Sequence, residues 1–169
     1  ALFLRLGGGR GNDDTSSDGT RGGDGGIVGI VNTGAIQFGY TYDPLSTTEG
    51  SDDGSLPGVW DDPGRGVAIY GASIGGAGGG QGNMGVGGGS GGNGGHAGTV
   101  DINNSGTLTM NGQFLPNGGA GILGTVVTGA GGDQDDQAFG DQKGGDAGDG
   151  NPLTITNSGV INFFASGGG

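Results

Sequence analysis

Thr99-Val100-Asp101-Ile102-Asn103-Asn104-Ser105-Gly106-Thr107-Leu108-Thr109-Met110 reads as two short strands joined at a corner. Val100 and Ile102 alternate with Asp101 and Asn103, and Leu108 and Met110 alternate with Thr107 and Thr109. That two-residue period is the mark of strands with one apolar face. Fifty-three residues on, Pro152-Leu153-Thr154-Ile155-Thr156 leads into Asn157-Ser158-Gly159 and Val160-Ile161-Asn162-Phe163 without a gap. An earlier copy carries Val28, Ile30, Asn32-Thr33-Gly34, Ile36 and Phe38 at an offset of 72. Three copies of one unit are present, and an internal repeat of this length points to stacked tiers.

A second block recurs upstream of each corner. Ile69-Tyr70-Gly71-Ala72-Ser73-Ile74 matches Ile122-Leu123-Gly124-Thr125-Val126-Val127 at an offset of 53, and Ala1–Leu6 takes the same place at an offset of 68. The expected inward residues are Leu2, Leu4 and Leu6, then Tyr70, Ala72 and Ile74, then Leu123, Thr125 and Val127. Each block runs into a glycine-rich excursion. The unit is therefore strand, glycine excursion, strand, Asn-(Ser/Thr)-Gly corner, strand. The fold class this implies is all-β, a parallel β-helix or β-solenoid of three imperfect repeats with almost no α-helix. The units run about 1–66, 67–119 and 120–169, forming a single repeat domain read as a fragment of a longer chain.

Composition agrees and narrows the function. Glycine supplies 51 of 169 residues, there is no cysteine, and no continuous Gly-X-Y period marks a collagen. Sixteen of the seventeen acids are aspartate, against five basic residues, for a net charge of −12. Such a chain repels nucleic acid and anionic membranes, and no apolar run is long enough for a spanning helix. The excursions Gly75–Gly98 and Gly129–Gly150 are nearly equal in length though not in sequence. Two readings of them stay open. They are flexible loops, or a layer of polyproline-II-like glycine strands that pack closely because glycine has no side chain.

The units differ chiefly in an insertion at 39–65, which holds Tyr40, Tyr42, Trp60, Asp61 and Asp62. Insertions in repeat proteins tend to project from one face, so these five are candidate binding-loop residues, with packing against the flank as the competing reading. Asn32, Asn104 and Asn157 are structural turn residues suited to an amide ladder. Calcium is the one cofactor considered, with Asp133, Asp135, Asp136, Asp146 and Asp149 as candidate ligands. Gly144-Gly145-Asp146-Ala147-Gly148-Asp149 approaches the G-G-x-G-x-D calcium repeat but has Ala147 for glycine and no tandem copy. No catalytic residue is assigned: His96 is the sole histidine, and Lys143-Gly144-Gly145 is not a phosphate loop. The reading is of a protein that is not an enzyme and needs no cofactor.

Ile69-Tyr70-Gly71-Ala72-Ser73-Ile74-Gly75-Gly76, then Gly88-Gly89-Ser90-Gly91-Gly92-Asn93-Gly94-Gly95, then Val100-Asp101-Ile102-Asn103-Asn104-Ser105-Gly106 resembles the glycine-rich passenger repeats of Gram-negative autotransporters. The resemblance covers nearly the whole chain apart from the insertion. It implies a right-handed β-helix exported to the cell surface, serving adhesion, biofilm or structural roles. The leading expectation is thus a non-enzymatic extracellular structural or adhesive segment. Its partners would be itself, in head-to-tail filaments, or a host or cell-surface ligand. The alternatives are a glycine-rich binding module of the phage-adhesin or ice-binding kind and, less favoured, a polysaccharide-processing β-helix enzyme.

Overall fold

The computed structural model describes residues 2–13, 18–40, 67–80, 90–112, 120–133 and 144–165. It is all-β, and no helix occurs among the described residues. The nine strands are β1 (Leu2–Gly7), β2 (Val28–Asn32), β3 (Ile36–Tyr40), β4 (Val67–Ile74), β5 (Val100–Asn104), β6 (Thr107–Gly112), β7 (Ala120–Val127), β8 (Leu153–Asn157) and β9 (Val160–Ala165). They form three parallel sheets, ordered β1-β4-β7, β2-β5-β8 and β3-β6-β9. Each repeat contributes one strand to each sheet, so the chain is three tiers deep.

The second and third sheets keep the repeat register. Val28, Val100 and Leu153 share a column, as do Ile30, Ile102 and Ile155, and then Leu108 with Ile161. Between the sheets, Val28, Ile30, Ile69, Val100, Ile102, Leu108 and Met110 form one buried cluster, joined at its margin by Ile36, Ile122, Val126 and Ile161. At about 25 cal/mol per Å² of apolar surface removed from water, these columns are the main stabilising term.

The first sheet departs from the expected register in one pair only: Leu2 pairs with Ile69, an offset of 67 rather than 68, whereas β4 and β7 keep the expected offset of 53, Ile69 on Ile122. The inward face of β4 and β7 is nonetheless the other one: Ile69 and Ile122, not Tyr70 and Leu123, face the main core. Val67, Tyr70 and Ala72 form a second buried cluster with Leu123 beside it. All eight residues of β4 are buried, so alternation in this strand carries no information about which face is inward. Gly71 and Gly124 set the choice: a Cβ at Gly71 would press on Ile30, Ile102 and Val28, and one at Gly124 on Leu153.

The glycine excursions are ordered where described, and they follow the tiers. Each leaves the first sheet as an outgoing arm (residues 8–13, 75–80 and 128–133) and comes back as a returning arm (residues 18–27, 90–99 and 144–152). Along the returning arms the N–H groups of Gly19, Gly22, Gly25 and Val28 donate to the carbonyls of Ser90, Asn93, His96 and Thr99. Gly94, Ala97 and Val100 repeat this to Asp146, Asp149 and Pro152. The outgoing arms do the same, Gly8 and Gly11 to Ile74 and Ala77, Gly75 and Gly78 to Val127 and Ala130. Between the two layers Gly76 and Gly79 donate to Gly23 and Thr20, and Gly95 and Gly92 to Gly76 and Gly79.

Every ladder advances by three residues, the turn of a polyproline II helix. Six such strands are thereby packed in two layers, continuous with the sheets. Two of every three residues point into the bundle, and at most of these positions in the second and third tiers a side chain does not fit, Ala97 being an exception that is itself buried. A Cβ on Gly95 would lie inside the carbonyl oxygen of Gly23, and one on Gly92 inside that of Thr20. The first tier is finished differently, since Asn12 and Thr20 stand where the later tiers have Gly79 with Gly132 and Gly92 with Gly145. The Asn12 N–H donates to Thr20 Oγ1 at 2.6 Å, closing the far end of that tier.

Gly95→Ala is expected to lower stability by about 2–3 kcal/mol or more, an overpacking cost without relief from a rotamer. Gly29→Ala, at a glycine with nothing within reach of a Cβ, should stay within about 0.5 kcal/mol of wild type. Urea melts of the two variants compare these directly, and polyproline II circular dichroism should weaken in the first alone.

Candidate functional site

The corners come first because they tie the sheets together. Asn32 Nδ2 donates to Asn104 Oδ1 at 2.7 Å, and Asn104 Nδ2 donates to Asn157 Oδ1 at 2.6 Å. Each amide also donates within its own corner, to the carbonyl of Gly34, Gly106 or Gly159. Asn104 is 2 % exposed and its amide has a partner at both ends. Asn32 and Asn104 are thus committed to the corners, whereas Asn157 is exposed at the end of the ladder.

The third residue of each glycine triplet points out of the bundle, and these residues form the chemically distinctive surface. On the returning arms they are Asp18, Arg21, Asp24 and Ile27, then Ser90, Asn93, His96 and Thr99, then Asp146, Asp149 and Pro152. Their side chains also form ladders. The Ser90 N–H donates to Asp18 Oδ1 at 2.6 Å and the His96 N–H to Asp24 Oδ1 at 2.8 Å. One tier further, the Asp146 N–H donates to Asn93 Oδ1 at 3.0 Å and the Asp149 N–H to His96 Nδ1 at 2.8 Å. An acceptor side chain in one tier therefore satisfies the outward N–H of the next.

The His96 bond fixes chemistry at that ring. Nδ1 accepts from the Asp149 N–H, so the neutral ring carries its proton on Nε2. The 3.6 Å approach of Asp149 Oδ2 to the same nitrogen is then not an ion pair, because Nδ1 has no proton to share. The His96 N–H, and next the Arg21 guanidinium, hold the Asp24 carboxyl below its ordinary value. Asp24, His96, Asp149 and Asn151 line a shallow groove of about 440 Å³ on this face.

The outgoing arms make the opposite face. There the outward residues are Gly7, Arg10 and Asp13, then Ile74, Ala77 and Gly80, then Val127, Ala130 and Asp133. A groove of about 490 Å³ crosses all three tiers, with Ile74, Ala77 and Ala130 on its floor and Arg5, Arg10 and Asp133 at its sides.

Set against these faces, the sequence candidates disperse. Tyr40 is not in a loop: with Gly39 it closes β3. Tyr42, Trp60, Asp61 and Asp62 lie outside the described residues, as do Asp135 and Asp136. Asp133 ends an outgoing arm, exposed beside the larger groove. Asp146 and Asp149 are one three-residue step apart, about 9 Å along a polyproline II strand, so their carboxylates do not converge on one ion. Among the described residues no group of three or more histidines or acids is placed to hold a metal. Asp24, within a stretch that approaches the calcium repeat, and His96, as the sole histidine, were weighed in the sequence without becoming site candidates, and Asp18 and Asn93 were not weighed as site residues. The signal that finds them is the local triplet Gly-Gly-x, as in Gly22-Gly23-Asp24-Gly25-Gly26-Ile27 and Gly91-Gly92-Asn93-Gly94-Gly95-His96.

No helix among the described residues is long and apolar enough to cross a membrane. Comparison of the chain with protein-family models, curated proteins and solved structures finds no match.

Asn104→Ala should cost about 2–4 kcal/mol, because it strands the Asn32 amide donor and the Gly106 carbonyl in a buried corner. Asn157→Ala, at the exposed end of the ladder, should cost much less; paired thermal melts test the ranking. Acid should loosen the returning face. A carboxyl with a lowered folded-state value stabilises the fold above its unfolded value and loses that contribution as pH falls through the folded one. Melting temperature is therefore expected to drop as pH falls below the ordinary aspartate range, and the part of that drop due to Asp24 should be absent in Asp24→Asn.

Proposed function

We propose that this chain is an extracellular, non-enzymatic adhesive or structural segment, built as a parallel β-solenoid that carries a polyproline II glycine layer as its contact surface. The observation that carries this reading is the layer itself. Six glycine strands are hydrogen-bonded to one another and run without a break into the first two sheets. A slab of this kind presents side chains in fixed columns about 4.8 Å apart between tiers and about 9 Å apart along a strand. Such regular, preorganised faces favour attachment to an extended or repetitive surface, because little conformational entropy is lost on contact. The resemblance to autotransporter passenger repeats supports export to a bacterial cell surface. The ordered layer equally favours the related reading of a glycine-rich binding module of the phage-adhesin type.

Head-to-tail filaments draw support from the third tier and resistance from the first. Leu153 and Ile155 are 41 % and 42 % exposed, although Val100 and Ile102, their partners one tier earlier, are fully buried. A further tier would cover them. Asn12 and Thr20, however, place side chains where another tier above the first needs glycine, so the two ends are not fully complementary.

Beads coated with the protein should adhere to bacterial cells or to immobilised cell-surface polysaccharide. Adhesion should be lost with Gly92→Ala/Gly95→Ala, which breaks the layer while circular dichroism still reports the sheets. Equal adhesion by that variant, or turnover of the polysaccharide, would overturn the proposal.

A further inference from the structure

The two faces of the glycine layer differ in how their outward N–H groups are satisfied. On the returning face Asp18, Asp24, Asn93 and His96 each accept the N–H of the next tier. On the outgoing face this happens once, where the Gly80 N–H donates to Asp13 Oδ1 at 2.7 Å. The equivalent N–H groups of Ala77, Ala130 and Asp133 follow Arg10, Ala77 and Gly80, none of which carries an acceptor. No partner for these three N–H groups exists among the described residues. All three residues line the groove of about 490 Å³.

Charge marks the same place. The chain has only five lysines and arginines in total, and two of them border this groove: Arg5 and Arg10, the latter paired at 3.1 Å with the exposed Asp13 carboxylate, for which a ligand carboxylate would compete. Its lining mixes the small apolar residues Ala77 and Ala130 with polar glycine backbone, and Ile74 lies buried beneath. Asp133 stands at one side, a three-residue step beyond Ala130.

We propose that this groove binds an acidic sugar, whose carboxylate accepts the Ala77 and Ala130 N–H groups beside Arg10. The internal precedents are Asp13 on Gly80 and Asp24 on His96, where a carboxylate already occupies the same position on a neighbouring N–H. The Ala77 and Ala130 methyl groups meet the C–H face of a sugar ring, and the Asp133 carboxylate accepts from ring hydroxyls. A simple anion uses only part of this set. The inference rests on the proposed role of the glycine layer as a contact surface and names the ligand class of one of its faces.

The decisive variant is Ala77→Asp, which supplies an internal acceptor for the Ala130 N–H in the geometry that Asp13 already uses. Titration calorimetry with a uronic acid oligosaccharide should show binding to the wild type, at least tenfold weaker binding to Ala77→Asp, and several-fold weaker binding to Arg10→Gln. The neutral oligosaccharide of the same linkage should bind at least tenfold more weakly, acetate should compete at high concentration, and added salt should weaken binding. Equal affinity for the neutral sugar, equal affinity of Ala77→Asp and wild type, or no uronate binding at all would each overturn the proposal. If Ala77→Asp does not fold, Arg10→Gln and acetate competition decide alone. Uronate binding that persists while bead adhesion survives loss of the layer would separate this site from the adhesive role.

Discussion

Everything in this structure depends on how closely one backbone can approach another. The sheets stack their tiers at the spacing of a parallel strand pair, and the glycine arms must keep that spacing because each is covalently continuous with a strand. At that distance the carbonyl of one arm occupies the place where the Cβ of the next would be, as Gly23 does against Gly95 and Gly76 against Gly129. Glycine is thus required by contact and not by flexibility. Its entropic cost on ordering is offset by a hydrogen bond at every third N–H toward the next tier, by more between the layers, and by the Cα–H groups that face the carbonyls.

This constraint also explains why side chains appear where they do. In a three-residue turn, two positions are spent on neighbouring strands and one is left facing water. The outward position is where most of the side-chain variety sits, with Asp24, Asn93, His96, Asp146 and Asp149 on one face and Arg10, Ala77, Ala130 and Asp133 on the other. A mechanical core of backbone and a variable skin of side chains are separated by residue number modulo three. The returning face satisfies four of its outward N–H groups with its own side chains, those of Ser90, His96, Asp146 and Asp149, and the outgoing face only that of Gly80. That asymmetry leaves the outgoing side the more open to acceptors.

The repeat was legible in the chain where strands have one buried face. Val100 with Ile102, Leu108 with Met110 and the Asn-(Ser/Thr)-Gly corners align across copies, and the second and third sheets pair in that register. The first sheet was not legible in the same way. β4 is buried on both sides, so Ile69 and Tyr70 are equally good inward candidates until Gly71 is seen to make room for Ile30 and Ile102. The candidate site was less legible still. Attention goes naturally to Trp60, Tyr42 and the clustered aspartates, whereas the described faces are assembled from single residues scattered between glycines.

By itself the sequence determined the class of backbone: alternating apolar residues dictate paired strands, and a chain so rich in glycine and aspartate does not form helices. It also determined the three-fold repetition, since equivalent residues recur in the same order in each copy, at a single offset of 53 between the last two. Only the tertiary structure decided that the described parts of the glycine runs are strands and not loops, because their backbone hydrogen bonds go to other arms or to the sheets and none lies within one arm. Only it decided which face of the first sheet turns inward, because that depends on the volume left by glycines across the core. The pairing of Asp24 with His96, and the bare N–H groups of Ala77 and Ala130, exist only once residues 53 to 72 positions apart are stacked.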